Sequence, residues 1–489
     1  MLFNSYIFVF LFLPVVLLGW HGLNHFGKYR LAQLFVILMS LWFYGYFRCQ
    51  YLFIILASIA VNWLISLGIK RWTQIRKPLG IAGVVFNLGL LFYFKYYDFF
   101  VENVNLVFGT GWTFKNVVLP LGISFFTFQQ ISFVVDRMWG EAEHYKLVDY
   151  AMFVVYFPQL IAGPIVSHRD LVPQFWKDEK RQWNWNNMLN GVRIFVLGLA
   201  KKCLLADELG RLVDCGYGDV GSMDSVGAFL VILAWAFQLY FDFSAYSDMA
   251  IGLGRMMNLD LPLNFDSPYQ SHSVQEVWRR WHITLSDFLI RYVYIPLGGS
   301  RKGKARKIRN TMVIFLLSGI WHGANWTYIL WGVINGAGVC VESMINEPAK
   351  KRKWTERFGW LYPFVFFALT IAIFRSDSIS DAWIIYKRLF SFEYTGYVWK
   401  LAASVESYKN YVLYLVLDRF GAYTMVRWLY MVWMLVLLLL SAFMCSRKNV
   451  YTWVNEKTAS KREMWCLAVL FGLSVLTFSG IAQFLYFNF

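Results

Sequence analysis

The chain has 489 residues, of which 58% are apolar and only 16% are charged, and its mean hydropathy is +0.45. A water-soluble surface cannot be built from this composition, so it excludes a soluble globular protein and indicates an integral membrane protein. The net charge of +16 does not indicate nucleic-acid binding, because the Lys and Arg residues form short clusters between apolar segments. We therefore expect membrane lipid around the chain, and no nucleic acid.

Apolar segments long enough to cross a bilayer recur along the chain. Since a helical span needs about 20 apolar residues, the sequence predicts an all-α protein with roughly eleven transmembrane helices. The first segment lacks a basic region before it and a small-residue cleavage site, so we expect a retained span and not a signal peptide. The predicted spans are 5–20, 31–47, 51–69, 79–97, 190–206, 226–243, 311–334, 360–375, 424–444 and 464–484.

Basic residues orient the predicted spans. Lys28 and Arg30 follow the first span, Arg48 alone follows the second, and a cluster at 70–77 follows the third. Clustered cations resist translocation, so the loops at 70–77 and 301–309 are predicted to face the cytoplasm and the N-terminus to lie outside it.

One integral domain is predicted. No fixed-period repeat and no low-complexity linker divides residues 1–489, and the polar segments are too short for a soluble domain. Within this domain we expect a catalytic core at about 117–346 and peripheral helices at 1–100 and 360–489.

Two apolar segments, 119–124 and 157–164, are interrupted by Pro and Gly. Such backbone lies at membrane depth only when it is buried in protein or lines a wet cavity, and otherwise forms an interfacial loop. Tyr240, Asp242 and Ser244 lie at the end of the predicted span 226–243, and an intramembrane carboxylate is costly enough to indicate a hydrated cavity on the acceptor side. The alternative is an ordinary span end with Asp248 in water.

The residue most indicative of chemistry is His322, which lies within the apolar segment 312–334. Imidazole titrates near neutral pH, so it can take a proton from an acceptor hydroxyl. Gly319 and Gly323 present small faces that permit close helix approach. Trp321 and Asn325 are predicted to lie beside the ring, with Asn325 one helical turn later, where it could orient the ring. A buried structural histidine is the alternative.

A second histidine lies in a basic, aromatic segment. The spacing predicts a helix over 276–286 that places Trp278, Trp281 and His282 on one face, with Arg279 and Arg280 beside it. Glu276 is predicted to pair with Arg280 at i,i+4. This helix either lines a donor entrance or simply lies at the membrane interface.

The loop after this segment carries Arg301, Lys302 and Lys304 beside Gly298 and Gly299. It lacks the spacing of a phosphate-binding Walker loop, so it is either a topology signal or a binding site for a phosphorylated donor such as coenzyme A. The chain has no GxSxG elbow, no HExxH pair and no CxxC pair. We expect no metal and no tightly bound cofactor.

Together these motifs make the chain similar to the membrane-bound O-acyltransferase (MBOAT) superfamily, in its alginate O-acetylation (AlgI-like) branch. Each string is weak alone, but their order and spacing are specific. They are FNS at 3–5, FLFLP at 10–14, LPLGISF at 119–125, LIAGP at 160–164, QLYFDFS at 238–244, WRRWH at 278–282, LGG at 297–299 and WHGANW at 321–326.

The resemblance implies a ring of tilted helices, with re-entrant and interfacial helices, around a central tunnel. It implies that His322 is the catalytic histidine and that His282 belongs to a second histidine motif. It also implies an acetyl-CoA donor in the cytoplasm of a bacterium, an inner-membrane location, a cell-surface polysaccharide acceptor and an extracytoplasmic serine-hydrolase-like acetyltransferase partner.

Three other functions stay open at this point. A related branch transfers D-alanine from a carrier protein to teichoic acid. Broken segments at membrane depth and a buried histidine are also transporter features, although the sequence shows no inverted repeat. A non-catalytic scaffold for polysaccharide assembly would tolerate replacement of both His282 and His322.

Overall fold

The computed structural model describes residues 1–345, 358–405, 419, 423–478 and 484–485. These residues are mostly helical and form no strand, which confirms the all-α prediction. The predicted core boundary at 346 and part of the predicted span 464–484 lie outside the described residues. The division into a core and peripheral helices stays a prediction.

The N-terminal part is built from long apolar helices. Wider π-helical turns precede the first helix at Phe8–Phe12 and join the fourth to the fifth at Phe92–Tyr96. The helices are α1 (Leu13–His25), α2 (Tyr29–Gly45), α3 (Gln50–Arg71), α4 (Arg76–Leu91) and α5 (Tyr97–Phe108).

The central part alternates long helices with short ones. A π-helical turn at Lys201–Ala206 joins two of the long helices. The helices are α6 (Ile123–Trp139), α7 (Leu147–Val155), α8 (Phe157–Leu160), α9 (His168–Leu171), α10 (Asp178–Arg181), α11 (Trp185–Ala200), α12 (Asp207–Tyr217) and α13 (Ser225–Met256).

The C-terminal part contains the two histidine motifs. A π-helical turn at Ile290–Tyr294 precedes the basic loop. The helices are α14 (Val274–Arg280), α15 (Ile283–Leu289), α16 (Lys304–His322), α17 (Trp326–Ile345), α18 (Leu361–Arg375), α19 (Ile379–Leu389), α20 (Val398–Ser404), α21 (Tyr423–Cys445), α22 (Val450–Glu456) and α23 (Lys461–Val475).

Several described helical segments are long and apolar enough to cross a membrane. Two shorter apolar helices, α2 and α18, add to them, so the protein is a multi-pass membrane protein. The exact number of crossings stays a prediction. The long segments are Phe8–His25, Gln50–Arg71, Thr73–Phe108, Ser225–Met256, Trp326–Ile345 and Met425–Cys445.

Helix α13 lies at the centre of the fold. Its side chains are apolar around most of the circumference, and a helix of that kind is stable only when it is surrounded by protein. It packs against α11, α12 and α18. Gly191 of α11 faces the backbone of Gly252 so closely that a Cβ on either residue would lie 2.7 Å from the carbonyl oxygen of the other. Glycines therefore set the distance between these two helices.

The two Pro/Gly-interrupted segments lie against each other inside the protein. Gly122 has a φ of +69°, and a Cβ there would lie 2.5 Å from the carbonyl oxygen of Leu160. The Tyr44 hydroxyl donates to the carbonyl of Leu121 over 2.8 Å. Because residues 157–164 are buried, the structure favours the buried alternative over an interfacial loop.

Both predicted cytoplasmic loops lie at the same end of the molecule. Arg76, from the 70–77 loop, lies beside Gly140, and the neighbouring Glu141 pairs with Arg291 over 2.6 Å. Arg291 belongs to the π-helical turn that leads directly into the basic loop before α16. This common position agrees with the predicted topology, while the side that faces the cytoplasm stays a prediction.

Candidate active site

His322 is the last residue of α16, and the chain turns immediately after it. Gly323 is extended, with a φ of −169°, and α17 begins at Trp326. The single predicted span 311–334 is therefore wrong, because it is a hairpin of two helices. The predicted small faces are real: a Cβ on Gly319 would lie 2.4 Å from the carbonyl oxygen of Tyr328, and one on Gly332 would lie 2.4 Å from that of Phe315.

The turn also changes the position of Asn325. Its Nδ2 donates to the carbonyl of Asp377 over 2.9 Å, and its Oδ1 accepts from the backbone N–H of Thr327 over 3.0 Å. The prediction that Asn325 lies one helical turn after His322 is wrong, because α16 ends at the histidine. Asn325 instead satisfies a free N–H in the first turn of α17.

The His322 side chain is buried and lies among aromatic rings. The ring centroids of Trp331 and Phe374 lie 5.3 and 5.2 Å from its own, and that of Trp321 lies 5.0 Å away. Trp321 in turn packs on Phe125. The His282 ring centroid is 6.3 Å from that of His322, so the structure brings the two predicted histidines together.

His282 lies at a break between two short helices. Trp281 is extended and His282 has a φ of +47° and a ψ of +52°, so the predicted continuous helix over 276–286 is wrong. A non-glycine residue held in this left-handed region costs about 1–3 kcal/mol. The predicted contact between Glu276 and Arg280 is confirmed, with a distance of 2.9 Å between the Arg Nη2 and the carboxylate.

Asn264 determines which ring nitrogen of His282 carries the proton. The Asn264 Oδ1 lies 3.1 Å from His282 Nδ1 and accepts from both the backbone N–H and the hydroxyl of Thr284, over 3.3 and 3.0 Å. Because a backbone N–H can only donate, this amide atom is the oxygen, and Nδ1 must donate to it. The neutral ring then keeps its lone pair on Nε2. Asn264 was missed in the sequence, since nothing in its loop indicates a partner 18 residues later.

A cavity of about 300 Å³, which we call the histidine cavity, reaches both rings. Its lining includes three of the predicted donor-path residues, Trp278, Arg279 and Trp281. Lys307, which was not among the predicted residues, also lines it. The three loop cations at 301, 302 and 304 are exposed and lie outside its lining, near the start of α16. Arg280 also lies outside the lining.

A second cavity, of about 320 Å³, lies on the other side of the turn after His322; we call it the lysine cavity. Gly323 and Ala324 line it, with Lys95 and Tyr328. Lys95 was not predicted to be functional, although it is a cation within the apolar segment Thr73–Phe108. The residues at 322–324 thus border one cavity on each side.

The predicted acceptor-side residues of α13 have a different environment. Asp242 is 2% exposed; its Oδ1 pairs with Lys202 over 2.5 Å, and its Oδ2 accepts from the backbone N–H of Leu485. Ser244 accepts from Lys201 over 2.9 Å. Asp248 does not lie in water, because it is buried and pairs with Lys201 over 2.6 Å.

These α13 residues line neither the histidine cavity nor the lysine cavity. Tyr240 is buried against Trp281, with ring centroids 6.2 Å apart. The hydrated cavity expected around Tyr240, Asp242 and Ser244 stays a prediction, while the contacts of these side chains lie within the protein. The π-helical turn at Lys201–Ala206 directs two lysines towards α13, so the carboxylates are neutralised by ion pairs within the protein.

The chain is similar to a known protein family and to several named proteins. Residues 139–375 match the model of the family described as MBOAT, membrane-bound O-acyltransferase family. The chain is 35% identical to a peptidoglycan O-acetyltransferase of Helicobacter pylori, over 100% of this chain and 98% of that protein. It is 39% identical to a probable alginate O-acetylase AlgI of Pseudomonas aeruginosa, over 80% of this chain and 75% of that protein. A teichoic acid D-alanyltransferase of Streptococcus thermophilus is 28% identical, over 54% of this chain and 69% of that protein.

Proposed function

The chain belongs to the membrane-bound O-acyltransferase family, and from this premise we propose that it transfers an acetyl group from acetyl-CoA in the cytoplasm to a hydroxyl of an extracytoplasmic glycan. The observation that carries the proposal is the pair of histidine rings at one cavity whose lining also contains two cations. The membrane is the bacterial inner membrane, and the N-terminus is extracytoplasmic.

The histidine cavity receives the donor. Arg279 and Lys307 offer cations to the phosphates of coenzyme A, and Trp278, Leu285 and Phe315 offer apolar surface to the thioester arm. The exposed cations at 301, 302 and 304 contribute a longer-range attraction. Acetyl-CoA is a substrate here, and no tightly bound cofactor takes part.

His322 acts as the general base. It removes the acceptor hydroxyl proton while the new C–O bond forms, and the C–S bond of the thioester breaks. The proton then returns to the departing thiolate, so the products are the O-acetyl ester and free coenzyme A. The Nε2 of His282, which carries a lone pair, supports proton transfer beside the thioester.

The acceptor approaches through the lysine cavity. Its volume of about 320 Å³ lies at the lower end for ligand sites. An extracytoplasmic serine-hydrolase-like acetyltransferase partner completes delivery to the polymer. Since the match to the peptidoglycan O-acetyltransferase spans both chains, peptidoglycan is the first acceptor to test, before alginate.

D-alanyl transfer is the second candidate. The relative that carries that name matches only 54% of this chain, which makes it the weaker proposal. A transporter has no specific observation in its favour.

The test is donor turnover by the purified protein in nanodiscs, with labelled acetyl-CoA and a charged D-alanyl carrier protein in parallel. We expect release of coenzyme A that depends on an added acceptor, and no use of the carrier. Turnover with the carrier alone would refute acetyl transfer in favour of D-alanyl transfer. Inactivity with both donors, in a folded protein supplied with acceptor and partner, would refute acyl transfer.

A further inference from the structure

We propose that Lys95 is a positioning residue for His322: its ammonium caps the end of α16 and fixes the backbone that carries the catalytic ring. This inference rests on the proposed function of His322. Lys95 belongs to a different helical segment, and it reaches α16 from the side of the lysine cavity.

The contacts cover the last carbonyls of α16 in succession. The Tyr96 hydroxyl donates to the carbonyl of Ile320 over 2.8 Å. The Lys95 Nζ donates to the carbonyl of Trp321 over 2.6 Å and to that of His322 over 3.1 Å. Two consecutive side chains therefore satisfy three consecutive carbonyls.

These carbonyls need partners. The last four carbonyls of an α-helix have no intrahelical donor, so other groups must supply one. A cation is also favoured at a helix C-terminus by the helix dipole. Without Lys95, the carbonyls of Trp321 and His322 would lose the donor that the structure gives them.

The local helix geometry explains how both side chains reach the same target. Lys95 and Tyr96 end the π-helical turn at Phe92–Tyr96, between α4 and α5. Such wider turns are rare in helices and frequently occur at functional sites, where they redirect side chains. Here the turn directs both residues to the end of α16.

The other contacts of Lys95 do not account for its position. Its third hydrogen bond is a weak one, to the Ser124 hydroxyl at 3.4 Å, and none of the ion pairs among the described residues includes it. Burying a cation without a carboxylate is costly. The bonds to the carbonyls of Trp321 and His322 are therefore its principal contacts, which fits a positioning role.

The first test is steady-state kinetics of Lys95→Met, with Lys95→Arg as the conservative variant and Lys115→Met as the matched control. Lys115 is an exposed lysine whose ammonium lies over the Tyr93 ring, and it does not take part in the cap of α16. We expect Lys95→Met to lower kcat about 10- to 100-fold, the range for residues that orient a catalytic group. The KM for acetyl-CoA should stay unchanged, because Lys95 does not line the histidine cavity.

Lys95→Arg should recover part of the lost kcat, and Lys115→Met should leave it unchanged. Tyr96→Phe removes a single hydroxyl, so it tests the same cap even if Lys95→Met does not fold, and it should lower kcat severalfold. A wild-type kcat in a folded Lys95→Met protein would overturn the proposal. If Lys95→Met does not fold, a wild-type kcat in Tyr96→Phe would overturn it.

The second test separates positioning from general structural support. In a His322→Gln background, Lys95→Met should cause no further loss, because the ring that it positions is already absent. Losses that multiply would overturn the proposal. An active His322→Gln protein would overturn the proposed function and this inference together, whereas inactive His322→Gln with fully active Lys95→Met would overturn this inference alone.

Discussion

Replacement of His322 by Gln tests the proposed base directly. Glutamine retains hydrogen-bonding groups but cannot accept a proton near neutral pH, so only the general-base contribution is removed. That contribution is typically 10²–10⁴-fold, which corresponds to about 3–5 kcal/mol of activation free energy. We expect kcat to fall by this amount.

The structure predicts a smaller effect on stability. The His322 ring has edge contacts with Trp331 and Phe374, and such contacts are worth about 0.5–1.5 kcal/mol each. The backbone of residue 322 is held by Lys95 independently of the side chain. The variant should therefore remain folded, with a free energy of unfolding lowered by about 1–3 kcal/mol.

The assay is acetyl transfer by the purified variant in nanodiscs, with a thermal melt and acetyl-CoA binding measured on the same sample. We expect donor binding within about twofold of wild type, because uniform binding energy is not removed. Near wild-type turnover in a folded His322→Gln protein would refute the mechanism. Lost donor binding would instead show that the ring holds the donor.

Three further predictions concern the surroundings of the rings. Asn264→Leu should lower kcat about 10- to 100-fold, because the proton on the His282 ring would no longer be held on Nδ1. Asn264→Asp keeps an acceptor oxygen and should lower kcat less. Wild-type kcat in both variants would exclude a role for Asn264 in orienting His282. The double variant Arg279→Gln with Lys307→Gln should raise the KM for acetyl-CoA more than a variant in which the loop cations at 301–304 are neutralised. If saturation kinetics show the larger KM in the loop variant, the donor phosphates bind at the loop. A cysteine introduced at position 304 should resist an impermeant reagent added outside intact cells, and labelling from outside would reverse the topology.

The sequence was informative where local pattern determines structure. Apolar segments predicted a multi-pass helical protein, and Gly319 marked a close helix contact that the structure contains. The resemblance assigned His282 and His322 to two histidine motifs but did not predict that their rings lie close together, because no local rule relates two residues on different helices.

The errors in the site have a common physical cause. Helical spacing continues past the residue where each helix ends: it extends from His322 to Asn325, although α16 ends at His322, and it runs through Trp281 and His282, where the structure has a break. Hydrophobic spacing does not indicate a left-handed residue such as His282, since the strain is stabilised by tertiary contacts. The partners of Asp242 and the role of Lys95 likewise depend on which helices become neighbours.

The ion pairs between the π-helical turn at Lys201–Ala206 and α13 have a consequence for membrane insertion. Asp242 pairs with Lys202 of an earlier segment, so it would enter the bilayer without that partner if the segments were released from the translocon separately, whereas Lys202 also pairs with Asp207 of its own segment over 2.8 Å. An isolated Lys or Asp at the centre of a span costs about 2.5–3.5 kcal/mol on the insertion scale. The earlier segment is therefore expected to wait at the translocon until α13 has been synthesised, and to partition into lipid with it as an ion-paired unit.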